Sequence, residues 1–284
     1  MERFVLVDGH SLLFKAFFGI PSRITGRGEK PINGVVGFVG ILRKVLAELR
    51  PLEMLVVFDG EEGSFRSSID SHYKSNRVHD YSKLSDEENP FSQIVPLKKV
   101  LDYLDWKHCE TKGVESDDLI SSYAKMYQQS REIFIISSDS DLLQLVSETT
   151  NVMNPHGKST VIYTPAKVLE KFGVRPMLIP ELKALVGDRS DNIKGIPGVG
   201  IKTATRLLNR YGQIASIYEQ AETIVPTSLS RTILENRAQV EKNLALIELC
   251  RKVDLPFGLS ELKVPTESWN KKTMDILSEA GLLK

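Results

Sequence analysis

The sequence predicts an α/β fold: a mostly parallel central sheet flanked by helices, followed by a C-terminal helical region built around a helix–hairpin–helix. Three observations carry this. Short apolar runs ending in Asp alternate with helical periodicity through the first half of the chain, the pattern of parallel strands joined by crossover helices. From residue 165 onward the periodic segments are helical. Between two of those segments lies GIPGVG (195–200), whose glycines suit a tight inter-helix turn.

Residues 3–8 (RFVLVD), 53–58 (EMLVVF, then Asp59) and 131–139 (REIFIISSD) are apolar runs too short for helices and read as buried strands. The segments at 37–49, 92–104 and 116–128 carry helical periodicity. Residues 61–91 between them are polar and poorly periodic, longer than an ordinary connection, and so functional or partly disordered. KVLEKF, IPELKALV, IKTATRLLNRYG and RAQVEKNLALIELCRK supply the later helices, and residues 251–284 carry no readable motif. The division expected is an α/β domain over 1–174, with its insertion at about 61–95, and a helical region over 175–284 with the hairpin at about 187–210.

At 284 residues the chain can bury a sizeable core. Hydrophobic residues at 41% and charged residues at 26% are ordinary for a water-soluble protein. No run is apolar enough to span a bilayer, and the acidic, soon-interrupted start is unlike a signal peptide. Two cysteines provide neither a disulfide framework nor a zinc pattern, so a reducing cytoplasm is expected. The 37 basic and 37 acidic side chains cancel, but if many acids gather at one place the remaining surface is basic.

Such a gathering is expected. Asp8, Asp59 and Asp139 end three strands, and in parallel sheets ligands bind beyond the carboxyl ends. ESDD at 115–118 supplies Glu115, Asp117 and Asp118 at a helix start, and Asp141, Asp188 and Asp191 follow in SSDSD and GDRSDN. Each group alone can be a helix cap or a polar turn. Together they are harder to accommodate, because carboxylates about 4 Å apart repel by about 4 kcal/mol. A hard divalent cation, Mg²⁺ or Mn²⁺, resolves the conflict, and so many oxygen ligands suggest two ions.

GIPGVGIKT superficially resembles a phosphate-binding Walker loop, but one extra residue separates Gly200 from Lys202 and no apolar strand precedes it. As a helix–hairpin–helix it offers backbone N–H groups at Gly198, Gly200 and the following helix start, with Lys202 and Thr203 beside them, for a nucleic-acid phosphate. In the insertion, HYKSNR places Tyr73 to stack on a base and Lys74 and Arg77 on one helical face. His10 is read as a structural hydrogen-bonding residue.

With these residues in hand, the chain resembles the bacterial 5′-nuclease family, the 5′→3′ exonuclease domain of DNA polymerase I and the stand-alone flap endonucleases. The likeness runs through VDGHSLLF (7–14), VVFDG (56–60), SFR (64–66), YKSNR (73–77), ESDDLI (115–120), SSDSDLLQL (137–145) and GDRSDNIKGIPGVGIKTA (187–204), covering about residues 1–250. No polymerase sequence follows, so the free-standing form is the nearer match. The resemblance implies that the nine acids bind metal, that the insertion is a helical arch in which Tyr73, Lys74 and Arg77 meet the single-stranded 5′ end, and that the hairpin is a helix–three-turn–helix that grips duplex and holds a K⁺ ion. Where relatives have Tyr-Arg after the first motif this chain has Phe14-Lys15, keeping the charge of a DNA contact at Lys15 but losing bidentate phosphate geometry.

The expected activity is a structure-specific, divalent-metal-dependent 5′→3′ exonuclease or 5′-flap endonuclease, a monomer working on DNA at single-strand/double-strand junctions in replication and repair. Lys74, Arg77 and Asp139 are its expected catalytic residues. A metal-dependent ribonuclease and a non-catalytic DNA-binding scaffold are the alternatives.

Overall fold

The computed structural model describes residues 1–60, 64–77, 81–156, 159–266 and 271–283. Its centre is a six-stranded sheet ordered β3-β2-β1-β4-β5-β6. These strands are β1 (Glu2–Asp8), β2 (Glu53–Phe58), β3 (His108–Glu110), β4 (Arg131–Ile136), β5 (Thr150–His156) and β6 (Ser159–Tyr163). The first five pair in parallel and β6 adds an antiparallel edge. β1 and β2 are buried through most of their length, as expected of strands covered on both faces.

One face is covered by α1 (Gly9–Gly19), α2 (Asn33–Leu49), α4 (Ile94–Tyr103) and the late helix α12 (Thr273–Glu279). The other is covered by α5 (Ser116–Tyr127), and its core runs without interruption into the helical region. That region comprises α6 (Pro165–Phe172), α7 (Ile179–Val186), a small hairpin of β7 (Gly187–Asp188) and β8 (Ile193–Lys194), then α8 (Ile201–Tyr211), α9 (Ile214–Glu219), α10 (Thr227–Glu235) and α11 (Arg237–Ile247).

Several sequence expectations change. α1 begins directly after Asp8 and escaped the periodicity reading because its apolar residues leave little polar face. α2 begins at Asn33 rather than at residue 37. The tail assigned to the helical region returns to the α/β unit: Met54 N donates to Leu262 O, Val264 N donates to Leu52 O, and Ile276 and Leu277 of α12 are buried beside α2. Apolar burial on the first unit therefore decides where the tail lies.

The described part of the 61–95 insertion holds α3 (Arg66–Ile69) and short 3₁₀ turns, with α4 beginning at Ile94. Tyr73, Lys74 and Arg77 therefore do not share the α-helical face expected. Lys74 has a left-handed φ of 56°, which breaks helical continuity, and its N–H donates to Asp191 O. Residues 61–63 and 78–80 lie outside the described residues.

Candidate nuclease site

The sheet order places the site. From β1 the chain moves outward through β2 to β3, then crosses back to β4 on the other side of β1. The carboxyl ends of β1 and β4 therefore flank the point where strand order reverses, where a crevice opens. Asp8 ends β1, Asp59 follows β2, and Ser137–Asp139 follow β4. The cleft there measures about 1680 Å³. Asp8, Asp59, Glu115, Asp117, Asp139, Lys15, Lys74 and Arg77 all line it.

Asp8 is held from two sides. One oxygen accepts Ser11 N–H as the N-cap of α1, and the other accepts Ser137 Oγ–H from across the switch point at 2.7 Å. The turn is tight enough that a Cβ on Gly9 would lie 2.5 Å from the Phe58 ring. Burial, with the charges of Asp59 and Asp139 adding, raises the Asp8 carboxyl to about 6. Asp117 is raised well above the ordinary range by burial, then by Asp139, Asp8 and Asp59. Burial pushes Asp59 the same way, but hydrogen bonds from His10 and Ser116 hold it at about 2. His10, which also lines the cleft, places its Nδ1 3.1 Å from Asp59 N and 3.4 Å from an Asp59 carboxylate oxygen.

A second acid group begins at the same Asp139. Asp141 is raised to about 6 by burial, against the pull of Lys183, with Asp139 and Asp191 as repelling neighbours. Burial also raises Asp191, whose neighbours include Asp188 and Asp139. Lys183 was not anticipated. From the middle of α7 its ammonium donates to Asp141 and to Asp188, the latter at 2.7 Å, and to Ser140 Oγ. Burial notwithstanding, Lys183 and Ser190 hold Asp188 below its usual value.

The cations of the insertion close the cleft. Lys74 Nζ donates to Glu115 at 2.6 Å, Arg77 pairs with Asp191, and Asn76 and Asn192 add hydrogen bonds between the insertion and the 189–192 loop. Tyr73 is half-buried, packs against the core and donates its hydroxyl to Glu115 at 3.3 Å. Lys15 donates to Asn154.

Asp118 departs from its expected role as a ligand. It is 0% exposed and turned away from the cleft, with Arg66 donating to both oxygens at 2.6 and 2.8 Å. Successive residues on a helix point about 100° apart, and here Asp117 lines the cleft while Asp118 is directed to Arg66. An aromatic wall was also missed: Phe14, Phe18, Tyr81 and Phe91 line the cleft, with Phe14 and Phe91 ring centroids 5.1 Å apart. Phe14 and Phe18 sit four apart on α1, but Tyr81 and Phe91 come from the insertion, so no single-element period joins all four.

The donor set suits hard divalent ions. It is all oxygen, buried, and self-repelling, a combination that a cation relieves. Among the described residues no three His, Cys, Asp or Glu side chains close on one point as a ready-made metal cage. Mg²⁺ commonly needs only one or two carboxylates, with water and substrate phosphate completing its shell, so an open acidic edge is compatible with it.

At the hairpin, Gly198 has φ 75° and Gly200 caps α8 with no side chain over the helix start. Lys202 is exposed and Thr203 half-exposed in the first turn. The first-turn N–H groups of a helix have no intrahelical partner, the feature an anion-binding helix start uses.

Comparison with known proteins agrees over nearly the whole length. Residues 3–173 match the family model for the 5′-3′ exonuclease N-terminal resolvase-like domain, and residues 174–270 match that for the 5′-3′ exonuclease C-terminal SAM fold. The 5′-3′ exonuclease of Aquifex aeolicus is 33% identical over 100% of this chain and 95% of its own. The thermostable DNA polymerase I of Thermus thermophilus is 35% identical over 99% of this chain, which spans 33% of that protein. The fold is that of bacteriophage T5 5′-exonuclease with bound zinc, at TM-score 0.73 and 21% identity, covering 98% of this chain and 100% of that one. The Rad2 catalytic core with DNA substrate aligns at TM-score 0.57 and 14% identity, over 98% and 92%. No helix among the described residues is long and apolar enough to cross a membrane. This chain belongs to the 5′-3′ exonuclease family.

Proposed function

We propose that the protein is a divalent-metal-dependent 5′-nuclease that hydrolyses DNA phosphodiester bonds where a single-stranded 5′ end or flap joins duplex. The observation that carries this reading is the single cleft into which the sheet edge brings Asp8, Asp59, Asp117 and Asp139 opposite Lys74 and Arg77. Such a cleft has acids for metal on one wall and cations for phosphate on the other. The 5′-3′ exonuclease relatives and the T5 flap endonuclease fold, the latter described in complex with DNA and metal ions, support it.

Asp8, Asp59, Asp117 and Asp139 would hold one ion, with Glu115 beside them. Asp139, Asp141, Asp188 and Asp191 would surround a second, with Asp139 common to both. When bound, Mg²⁺ or Mn²⁺ supplies Lewis acidity and an activated water for in-line displacement. The chain's own residues do the rest. Lys74 and Arg77 leave Glu115 and Asp191 for the incoming phosphate, neutralise its charge and draw it toward the acids. The Gly198–Gly200 turn and the α8 start hold a neighbouring duplex phosphate, with K⁺ as an additional ligand of that turn. Products would carry 5′-phosphate and 3′-hydroxyl ends.

The test is digestion of a labelled 5′-flap substrate with Mg²⁺ and with EDTA, beside single strand, blunt duplex and the matching RNA. Metal-dependent release of the flap strand, faster than cleavage of the other substrates, is expected. Equal rates with EDTA would remove the metal reading, and preference for RNA would favour the ribonuclease.

A further inference from the structure

A second cavity of about 540 Å³ lies away from the cleft and shares no lining residue with it. One wall is the side of α5 bearing Ser121, Ala124, Lys125 and Gln128, at one-face helical spacing. The same helix presents Glu115, Ser116 and Asp117 to the cleft from its start. The facing wall comes from α6 and the 175–177 turn, where Leu169 and Met177 are 46% and 57% exposed. An apolar concavity of this size is within the range that takes a ligand or a peptide side chain.

Its rim is positively charged. Lys125, Arg175 and Arg251 are exposed there, none in an ion pair among the described residues, and Glu148 is the rim's one acid. Ser121 adds a hydroxyl that is buried without a hydrogen-bond partner, which costs about 1–3 kcal/mol until an acceptor arrives. A DNA backbone would use the cations but has nothing for the apolar walls. A carboxylate-rich peptide with an apolar side chain uses both.

We propose that this groove docks a short acidic peptide segment of a partner protein. One apolar side chain seats between Leu169 and Met177, and flanking carboxylates pair with Arg175 and Arg251. Because the groove and the cleft are separate, docking leaves the cleft open and serves recruitment rather than inhibition. The inference does not depend on the nuclease reading, since its measurement is peptide binding alone.

The experiment pans a random-peptide display library on the full chain, then measures the synthetic consensus peptide by fluorescence anisotropy. An acidic consensus around an apolar residue is expected. The double variant Arg175→Glu/Arg251→Glu and the separate variant Leu169→Asp should each weaken binding at least about tenfold, equivalent to about 1.4 kcal/mol. These side chains are exposed, and the circular-dichroism melting temperature of each variant serves as a folding control. A consensus without acids, or binding unchanged in both variants, overturns the proposal. So does a double variant that loses duplex affinity rather than peptide affinity, which would assign the rim to nucleic acid. A concentration-dependent dimer abolished by the double variant would give the groove to a second copy of the chain instead.

Discussion

Arg66 and Asp118 form a two-pronged ion pair, at 2.6 and 2.8 Å, with side chains 1% and 0% exposed. Arg66 also donates to Leu246 O and Glu248 O, and Asp118 accepts Cys250 N–H. The pair therefore ties the insertion, the start of α5 and the end of α11 into one node. All the polar atoms of this node are matched, and that is the condition under which a buried pair is tolerated.

Removing one partner would leave a buried charge. Asp118→Ala should lower unfolding free energy by about 3–5 kcal/mol, while the folded fraction binds Mn²⁺ with near-normal affinity. Asp117→Ala should do the reverse, because Asp117 faces the cleft against three other acids. Urea denaturation and Mn²⁺ calorimetry on both variants decide the matter. Loss of Mn²⁺ affinity in a fully folded Asp118 variant would restore Asp118 as a ligand.

That contrast shows what the sequence could disclose. Asp8, Asp59 and Asp139 were legible because each ends an apolar run, and parallel strands must place such ends together. Asp117 and Asp118 were not separable, since adjacent acids at a helix start look alike until the helix is docked. Arg66 and Lys183 were illegible for a related reason. A cation within SFRSS or IPELKALV looks solvent-facing, and only the approach of Asp118 from α5, or of Asp141 from beyond β4, gives it a buried partner. The meeting of Tyr81 and Phe91 with Phe14, and the returning tail, depend on contacts between segments far apart in the chain. No local period encodes them.

Asp139 neighbours both acid groups: its charge acts on Asp8 and Asp117 on one side and on Asp141 and Asp191 on the other. Asp139→Asn keeps the shape and removes the charge from both. The loss of several kcal/mol of metal-derived stabilisation should slow cleavage by about a thousandfold. Flap-DNA affinity should change only a few-fold, because the phosphate contacts proposed for the hairpin and for Lys74 and Arg77 would remain. Single-turnover rates beside gel-shift titrations separate the two effects. A near-normal rate in saturating Mg²⁺ would exclude Asp139 from the chemistry.

Lys183 is the fixed cation between Asp141 and Asp188, and its side chain is 14% exposed. Replacing it by Met keeps the stem and leaves the two carboxylates facing each other without compensation. Without divalent ions the variant should melt several degrees lower than the parent, and Mn²⁺ should raise its melting temperature by more than it raises the parent's. The extra gain follows because an added cation now meets bare carboxylates rather than a pair already neutralised. Thermal denaturation in EDTA and in a Mn²⁺ series gives both numbers. Identical Mn²⁺ gains would mean that Lys183 does not share this acid group with metal.

Phe18 stands 69% exposed in the cleft, next to Phe14 with ring centroids 6.2 Å apart. An exposed aromatic beside an acidic cleft contributes nothing to the core, whereas stacking on an unpaired base is worth about 1–3 kcal/mol. Under the nuclease reading, Phe18→Ala should weaken binding of a 5′-flap or single-stranded end by about that amount. Blunt duplex, whose bases stay stacked on one another, should bind as before. Fold stability should be untouched, since the ring is mostly in solvent. Anisotropy titrations with flap, single-strand and blunt DNA in Ca²⁺, chosen to retain binding while suppressing turnover, provide the comparison. Equal loss on all three would point to a general change at the cleft mouth, and no loss on any would leave Phe18 outside the path of the 5′ end.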